Sequence, residues 1–381
     1  MMDSELFDTI VIGAGQAGPF LAAKLVAQGR KVALIESRDL GGTCINRGCT
    51  PTKTLRKSAR VAYLARRAAE FGVQTGAVKV DFTVAMQRMH QRVNESRAGL
   101  ESWLGGLPGL SIIKEHARLD GRDGADFLVQ AGDRRLRAPR VVLNTGTRPF
   151  MPPIPGLLDN PHLDNEGLLE LRELPRKLVI IGGGYISLEM GQIFRRLGSK
   201  VAIIETGSRL TGREDEDISG AISEMLRAEG IDVFTGQAIK GVSPGETAGG
   251  TCIELADGRI IGGSHLLVAT GRVPNTDDLG LSTVNLKANM RGYIGTNERL
   301  ETDVPGIWAL GDINQRGAFT HTSYQDHEIV AANFAGGQRS ADERTSIYAM
   351  FTDPPLGHVG LYEADAKRLV AQGRRISQVV H

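Results

Sequence analysis

Residues 7–36 read FDTIVIGAGQAGPFLAAKLVAQGRKVALIE. Phe7 to Ile12 is an apolar run of the length expected for a buried parallel strand. Gly13-Ala-Gly15-Gln-Ala-Gly18 follows, and then a helical spacing of Leu21, Leu25 and Val26 that stops at Gly29. Lys31 to Ile35 is a second strand, and it ends on Glu36. Strand, glycine turn, helix, strand and acid form the context in which such glycines indicate a dinucleotide site. The glycines let the turn close and the backbone approach a pyrophosphate on the helix N-terminus, while the acid accepts hydrogen bonds from the adenosine ribose.

The pattern returns later. Leu178 to Ile181 is a strand, Gly182-Gly-Gly184-Tyr-Ile-Ser187 the turn, Leu188 to Leu197 a helix, and Lys200 to Ile204 a strand ending on Glu205. Gly13 and Glu36 are 23 positions apart, as are Gly182 and Glu205. The spacing therefore predicts two dinucleotide folds in one α/β chain, and two nucleotides to fill them. Ser187 stands where the first motif has Gly18, and it is small enough for helix–strand packing. Glu205 would bond a 2′-hydroxyl and repel a 2′-phosphate, which favours NADH over NADPH, although Arg209 and Arg213 lie nearby.

Between these folds lies Gly41 to Lys53, GGTCINRGCTPTK. Cys44 and Cys49 have four residues between them, and Pro51 suits the first turn of a helix. A thiolate at a helix N-terminus is stabilised by exposed N–H groups, and Lys53, one turn after Cys49, adds a cation on the same face. That describes a working redox pair; a structural disulfide or two buried thiols are the plainer alternatives. Cys252, the third of three cysteines, is expected to be a buried small hydrophobe in a strand.

Lys plus Arg total 45 and Asp plus Glu 44, a balance that argues against nucleic acid or an anionic membrane as partner. Glycine numbers 48 of 381, roughly twice the usual share, as expected of many tight turns and backbone–ligand approaches. The N-terminus has no basic stretch before its first strand, and no apolar run reaches about 18 residues. A signal peptide and a transmembrane span are therefore not expected, and few cysteines point to the cytoplasm. Leu55 to Phe71 reads as a basic helix with a solvated face, Asp81 to Leu104 as a second long helix, and Ser111 to Leu136 as an antiparallel meander. Ile231 to Phe234, Cys252 to Leu255 and Ile260 to Val268 read as later strands, and Phe319 to Tyr324 as the approach to a helix ending at Phe334.

Taken in order, these motifs resemble those of the flavin-dependent pyridine nucleotide-disulfide oxidoreductases, the family of glutathione reductase, dihydrolipoamide dehydrogenase and mercuric reductase. The resemblance implies two Rossmann-like domains and the start of a truncated α+β dimerisation domain. FAD would bind to a discontinuous domain of 1–150 and 270–340, NAD(P)H to 151–269, and dimerisation would begin at 341–381. It implies FAD contacts from Gly13, Gly15, Gly18, Glu36, Gly42, Thr43, Thr145, Gly146, Arg272, Gly311, Asp312 and Thr320. NAD(P)H would meet Gly182, Gly184, Tyr185, Ser187, Glu205 and Gly271, with Tyr185 at the nicotinamide. By the same resemblance Cys49 lies against the flavin, Cys44 attacks the substrate, and Lys53 pairs with Glu189 beside the ring; His321 is a ligand-side group or a cap-region residue.

The chain also departs from the family. The C-terminal His–Glu segment of the disulfide reductases is not in the sequence, nor is the C-terminal cysteine pair of mercuric reductases or their N-terminal metal-binding domain. The implied function is electron transfer from NAD(P)H through FAD and the Cys44–Cys49 disulfide to a disulfide, a metal ion or a similar acceptor. A flavin-binding remnant with little turnover is the alternative. No resident metal is expected, and a homodimer is the family's assembly.

Overall fold

A computed structural model describes residues 4–246 and 249–376. The chain divides into two compact units. The first comprises Met1–Pro51, Gln91–Arg148 and Arg272–Arg344, and the second Thr52–His90, Pro149–Gly271 and Thr345–His381.

The first unit is built on a five-stranded parallel sheet in the order Ile307–Ala309, Val141–Leu143, Thr9–Ile12, Val32–Ile35, Leu110–Ile113. Strands with side chains buried on both faces read as unbroken apolar runs, which is why alternation is missing from them. Ile10, Ile12, Ala33, Ile35, Val141 and Leu143 pack on one side with Leu119, Phe127, Val129 and Leu136. Val11, Leu34 and Val142, one residue out of step, pack on the other with Leu21, Leu25, Ile329 and Val330. One face thus meets the antiparallel strands Ala117–Asp123, Asp126–Ala131 and Arg134–Ala138, and the other meets the helices Gly18–Ala27 and Thr320–Phe334. The expected meander therefore starts later than Ser111, because Leu110–Ile113 pairs in parallel with Val32–Ile35. The expected approach segment after Phe319 is already helix, which begins at Thr320.

The second unit repeats the plan. Its parallel sheet runs Ile231–Phe234, Lys200–Ile204, Lys177–Ile181, His265–Val268. One face packs Val179, Ile181, Ala202, Ile204, Leu266 and Val268 against Val242, Ile253, Leu255 and Ile261 of an antiparallel three-stranded sheet. The single strand expected over Ile260–Val268 is two, because Ser264 bonds the Lys177 backbone and the chain changes sheets there. Cys252 lies in the strand Thr251–Leu255 as expected, but it is half-exposed instead of buried, at a position where alternate residues Thr251, Ile253 and Leu255 take the core side. The basic helix runs Cys49–Arg66, and its arginines are not simply solvated. Arg56 donates to the Thr352 carbonyl and Arg66 to that of Arg196, while Arg60 lies 3.5 Å from Asp353. Of the stretch 341–381, the hairpin Ile347–Met350 with Leu356–Val359 and the helix Glu363–Ala371 belong to this unit, and 377–381 lie outside the described residues.

Candidate active site

The two glycine turns are built by the same hydrogen bonds. Gly13 N–H donates to the Ile35 carbonyl (2.7 Å) and Gly182 N–H to that of Ile204 (2.8 Å). The next N–H, of Ala14 or Gly183, donates to one oxygen of the strand-end acid: Glu36 Oε2 at 2.8 Å, Glu205 Oε2 at 2.5 Å. The other oxygen takes the backbone N–H two residues on, Arg38 at 2.9 Å or Gly207 at 2.6 Å. Both leading glycines have left-handed φ, +102° and +109°, and a Cβ on either would lie 2.3 or 2.4 Å from a carbonyl oxygen of the neighbouring strand end. Each acid is thereby fixed at the mouth of its turn.

The two turns differ where Ser187 replaces Gly18. In the first, Asn144 Oδ1 accepts from Gly18 N–H (2.9 Å) while Asn144 Nδ2 donates to the Leu310 carbonyl (2.9 Å), fastening helix to strand ends. A Cβ at Gly18 would lie 2.2 Å from the Gly13 carbonyl. In the second, Ala269 occupies the place of Asn144, and buried Ser187 sends its hydroxyl to the Ala269 carbonyl at 3.5 Å. Side chain and partner are exchanged together. Asn144 escaped the sequence reading; its place directly before the Thr145-Gly146 turn was the available signal.

Near this turn, Arg272 donates to Thr147 through Nε (2.7 Å) and Nη2 (2.5 Å), and the Thr147 hydroxyl donates to Asp312 Oδ2 at 3.2 Å. Burial pushes the Asp312 carboxyl above the usual range, while Arg272 and the Thr147 hydroxyl oppose that rise. Gly311 N–H is held by buried Asp326 (2.7 Å), which Arg344 in turn neutralises. The Thr145-Gly146 turn is tied to Asn275 by three hydrogen bonds. Gly42 lies against the first turn, where a Cβ would come within 2.9 Å of Gly15 Cα, and the Thr43 carbonyl caps the short helix Gly42–Asn46.

The sulfur atoms of Cys44 and Cys49 share one neighbour. Thr320 Oγ1 is 3.2 Å from Cys49 Sγ and 3.4 Å from Cys44 Sγ. Cys49 opens its helix, and Thr320 opens the helix Thr320–Phe334. His321 stacks on Phe319, with ring centroids 5.7 Å apart.

In the second unit Lys53 Nζ lies 2.8 Å from Glu189 Oε2 and 4.4 Å from the Phe351 ring centroid. Glu189 Oε1 accepts from Phe351 N–H at 2.8 Å, so one buried carboxylate serves an ammonium and a backbone donor. Gly184 caps the helix Tyr185–Leu197, and a Cβ on it would meet open space. Gly271 has φ +134° and its carbonyl accepts from Phe150 N–H. Tyr185 donates to buried Glu214, a contact the sequence reading missed and that nothing in the local sequence marks.

Two glycine turns that each hold a strand-end acid, and a pair of cysteines with one hydroxyl between them, are the features with which the comparisons agree. The profile of the family described as "Pyridine nucleotide-disulphide oxidoreductase" matches residues 7–326. The chain belongs to that family, and it is an NAD(P)H-dependent FAD oxidoreductase. Among its relatives is the probable pyridine nucleotide-disulfide oxidoreductase RclA of Escherichia coli K12, 35% identical over 366 residues that cover 95% of this chain and 78% of RclA. The mercuric reductase of Staphylococcus aureus is 33% identical over 95% of this chain and 66% of its own length. The solved structure of the HOCl-induced flavoprotein disulfide reductase RclA from Escherichia coli superposes with a TM-score of 0.85, covering 95% of this chain and 79% of that one at 34% identity.

Proposed function

We propose that Cys44 and Cys49 are the redox pair of this oxidoreductase, that the turn from Gly13 to Gly18 with Glu36 holds FAD, and that the turn from Gly182 to Ser187 with Glu205 holds NADH. The single observation behind this reading is the Thr320 hydroxyl within hydrogen-bond reach of both sulfurs. A hydroxyl in that place stabilises whichever sulfur is left as thiolate when the bond between them opens. The overall step balances as NADH plus a proton plus the disulfide giving NAD⁺ and two thiols, and the thiols then reduce the acceptor.

The residues of the first fold suit FAD. The helix Gly18–Ala27 has no acid in its first turn, so its dipole favours a pyrophosphate at its N-terminus. Asp312, raised by burial, is placed to accept from a polyol hydroxyl, with Arg272 and Thr147 steadying it. Bound FAD would supply the two-electron relay between reduced nicotinamide and the sulfur pair. Lys53, paired with Glu189 at 2.8 Å, is the cation assigned to that ring.

NADH is read as the preferred donor because Glu205 holds its carboxylate at the second turn, while Arg209 turns its Nη2 to the carbonyls of Gly212 and Glu214. The FAD domain is assigned to 1–150 with 270–340 and the NADH domain to 151–269. The acceptor is assigned to disulfides or thiophilic metal ions, which a pair of thiolates attacks or binds. Family members are typically homodimers, and the compartment is read as the cytoplasm. No helix among the described residues is long and apolar enough to cross a membrane.

Anaerobic titration of the FAD-loaded protein with NADH, followed by thiol counting with DTNB, tests this. One equivalent of NADH should expose two further thiols in the wild type and none in C44S or C49S. An unchanged thiol count in the wild type, with the flavin fully reduced, would refute the assignment of the pair.

A further inference from the structure

Glu214 is 3% exposed, and its Oε1 is the acceptor for two tyrosines. Tyr185, the first residue of its helix, donates from one side, and Tyr348, on the strand Ile347–Met350, donates from the other at 2.7 Å. Tyr348 and Tyr362 have their hydroxyls 2.8 Å apart. A phenol has one proton, and a carboxylate has none to give, so Tyr348 directs its proton to Glu214 and accepts from Tyr362. Tyr348 is itself wedged. It is 8% exposed, and its cross-strand neighbour His358 stacks on the ring at 4.5 Å with planes 6° apart. Asp215, the next residue, accepts from Glu363 N–H at 3.1 Å and so fastens the following helix to the same loop. The rings of Tyr185 and Tyr348 are 5.7 Å apart.

A buried carboxylate is tolerated when donors surround it, and charge-assisted O–H bonds are the strong ones. Rotating Tyr185 away would leave Glu214 with one phenol where it had two. The carboxylate therefore fixes the rotamer of Tyr185, and Tyr348 fixes the carboxylate.

We infer that Glu214 and Tyr348 are positioning residues for the reduced nicotinamide, holding the Tyr185 ring in the orientation that receives it. This rests on the reading that Tyr185 lies at the nicotinamide. A clamped ring is preorganised, and loss of the clamp lets Tyr185 enter rotamers that obstruct docking.

The test measures the apparent NADH dissociation constant of the FAD-loaded protein from the NADH dependence of the flavin-reduction rate in anaerobic stopped flow, for Y185F, Y185A, E214Q, Y348F and the Y185F/E214Q double variant. E214Q should weaken NADH by about tenfold, the equivalent of one such hydrogen bond. Y348F, which keeps the carboxylate, should weaken it several-fold, and the double variant should be no worse than Y185F alone. Alkaline titration of tyrosinate absorbance gives an independent readout: burial and Glu214 hold the Tyr185 phenol above its usual range, and E214Q should lower it. Wild-type NADH affinity in E214Q and Y348F alongside an impaired Y185F would overturn the inference and leave the reading of Tyr185 intact. Wild-type affinity in Y185F, or tighter binding in E214Q, would overturn the inference, and wild-type affinity in Y185A would remove Tyr185 from the nicotinamide site as well. If E214Q does not fold, Y348F decides.

Discussion

The Thr320 hydroxyl reaches Cys49 Sγ at 3.2 Å and Cys44 Sγ at 3.4 Å, although 271 residues separate Thr320 from Cys49. A hydrogen bond to a charged acceptor contributes about 1.5–3 kcal/mol, and competing water reduces that at half-buried sulfurs. The T320V variant conserves shape and deletes the donor. Its reduced form should react with iodoacetamide at neutral pH roughly three- to tenfold more slowly than wild type, because less thiolate is present. T320S should restore the rate. Equal rates in T320V and wild type would mean that the hydroxyl does not act on the sulfurs.

Arg196, with 4% of its side chain exposed, joins Glu229 Oε1 at 2.7 Å and Asp353 Oδ2 at 2.6 Å, and its guanidinium lies 3.7 Å from the Tyr63 ring centroid. Gln192 ties the same pair together through the Asp353 backbone. Removing one member of a buried ionic cluster strands the rest, at about 3–5 kcal/mol. R196M should lose about that much in urea denaturation. Burial opposes ionisation of Asp353, but the hydrogen bond and charge of Arg196 win, and its carboxyl titrates below the usual range. A depressed folded value stabilises the protein above the unfolded value near 3.9 and loses that stability as pH falls through the folded value. The gap between wild type and D353N should therefore be full at neutral pH and narrow below about pH 4. A gap that is constant with pH would show that the charge is not what holds Asp353.

The parts of this chain that could be read in the sequence are those made by neighbours. Gly13 to Glu36 and Gly182 to Glu205 each fold as one strand–turn–helix–strand unit, so spacing alone locates both turns and both acids. What escaped depends on distant partners. Asn144 meets Gly18 from 126 residues away, and Tyr348 meets Glu214 from 134. The strand Ile239–Pro244, with a glycine inside it and a proline at its end, has little strand character of its own and is defined by pairing with Thr251–Leu255. Ser111–Ile113, read as the start of the meander, joins the parallel sheet for a related reason: so short a segment does not say which neighbour it will join.

His327 is 1% exposed, packs against Phe20 and Tyr324, and has no hydrogen-bond partner on either ring nitrogen among the described residues. Burial, with help from the charge of Lys24, lowers it to about 4, while Glu328 works in the opposite direction. Its unfolded value is near 6.5, so between those limits the unfolded chain binds more protons and stability rises with pH. Wild type should lose stability steadily from about pH 6.5 to about pH 4. H327F, which keeps an aromatic ring and has nothing to protonate, should show a shallower slope over that window and equal or greater stability at pH 7. Parallel stability–pH curves for the two proteins would contradict this origin of the slope.

On the reading proposed above, Glu205 sets its carboxylate beside the ribose 2′ position of the nucleotide at the second turn, and its oxygens are held by Gly183 and Gly207 N–H. A 2′-hydroxyl can donate to that carboxylate; a 2′-phosphate meets its charge at close range in a partly buried site. Arg209 directs its Nη2 to the carbonyls of Gly212 and Glu214, and exposed Arg213 is a second cation near in sequence that can turn toward a phosphate. Wild type should therefore favour NADH over NADPH in kcat/KM by about tenfold or more, a difference of about 1.4 kcal/mol or above. E205S removes the repulsion and keeps a small polar group. It should lower kcat/KM for NADH and raise it for NADPH, and adding R213A should take back part of the NADPH gain. A wild type that prefers NADPH, or an E205S ratio equal to wild type, would show that the carboxylate at this turn does not read the ribose.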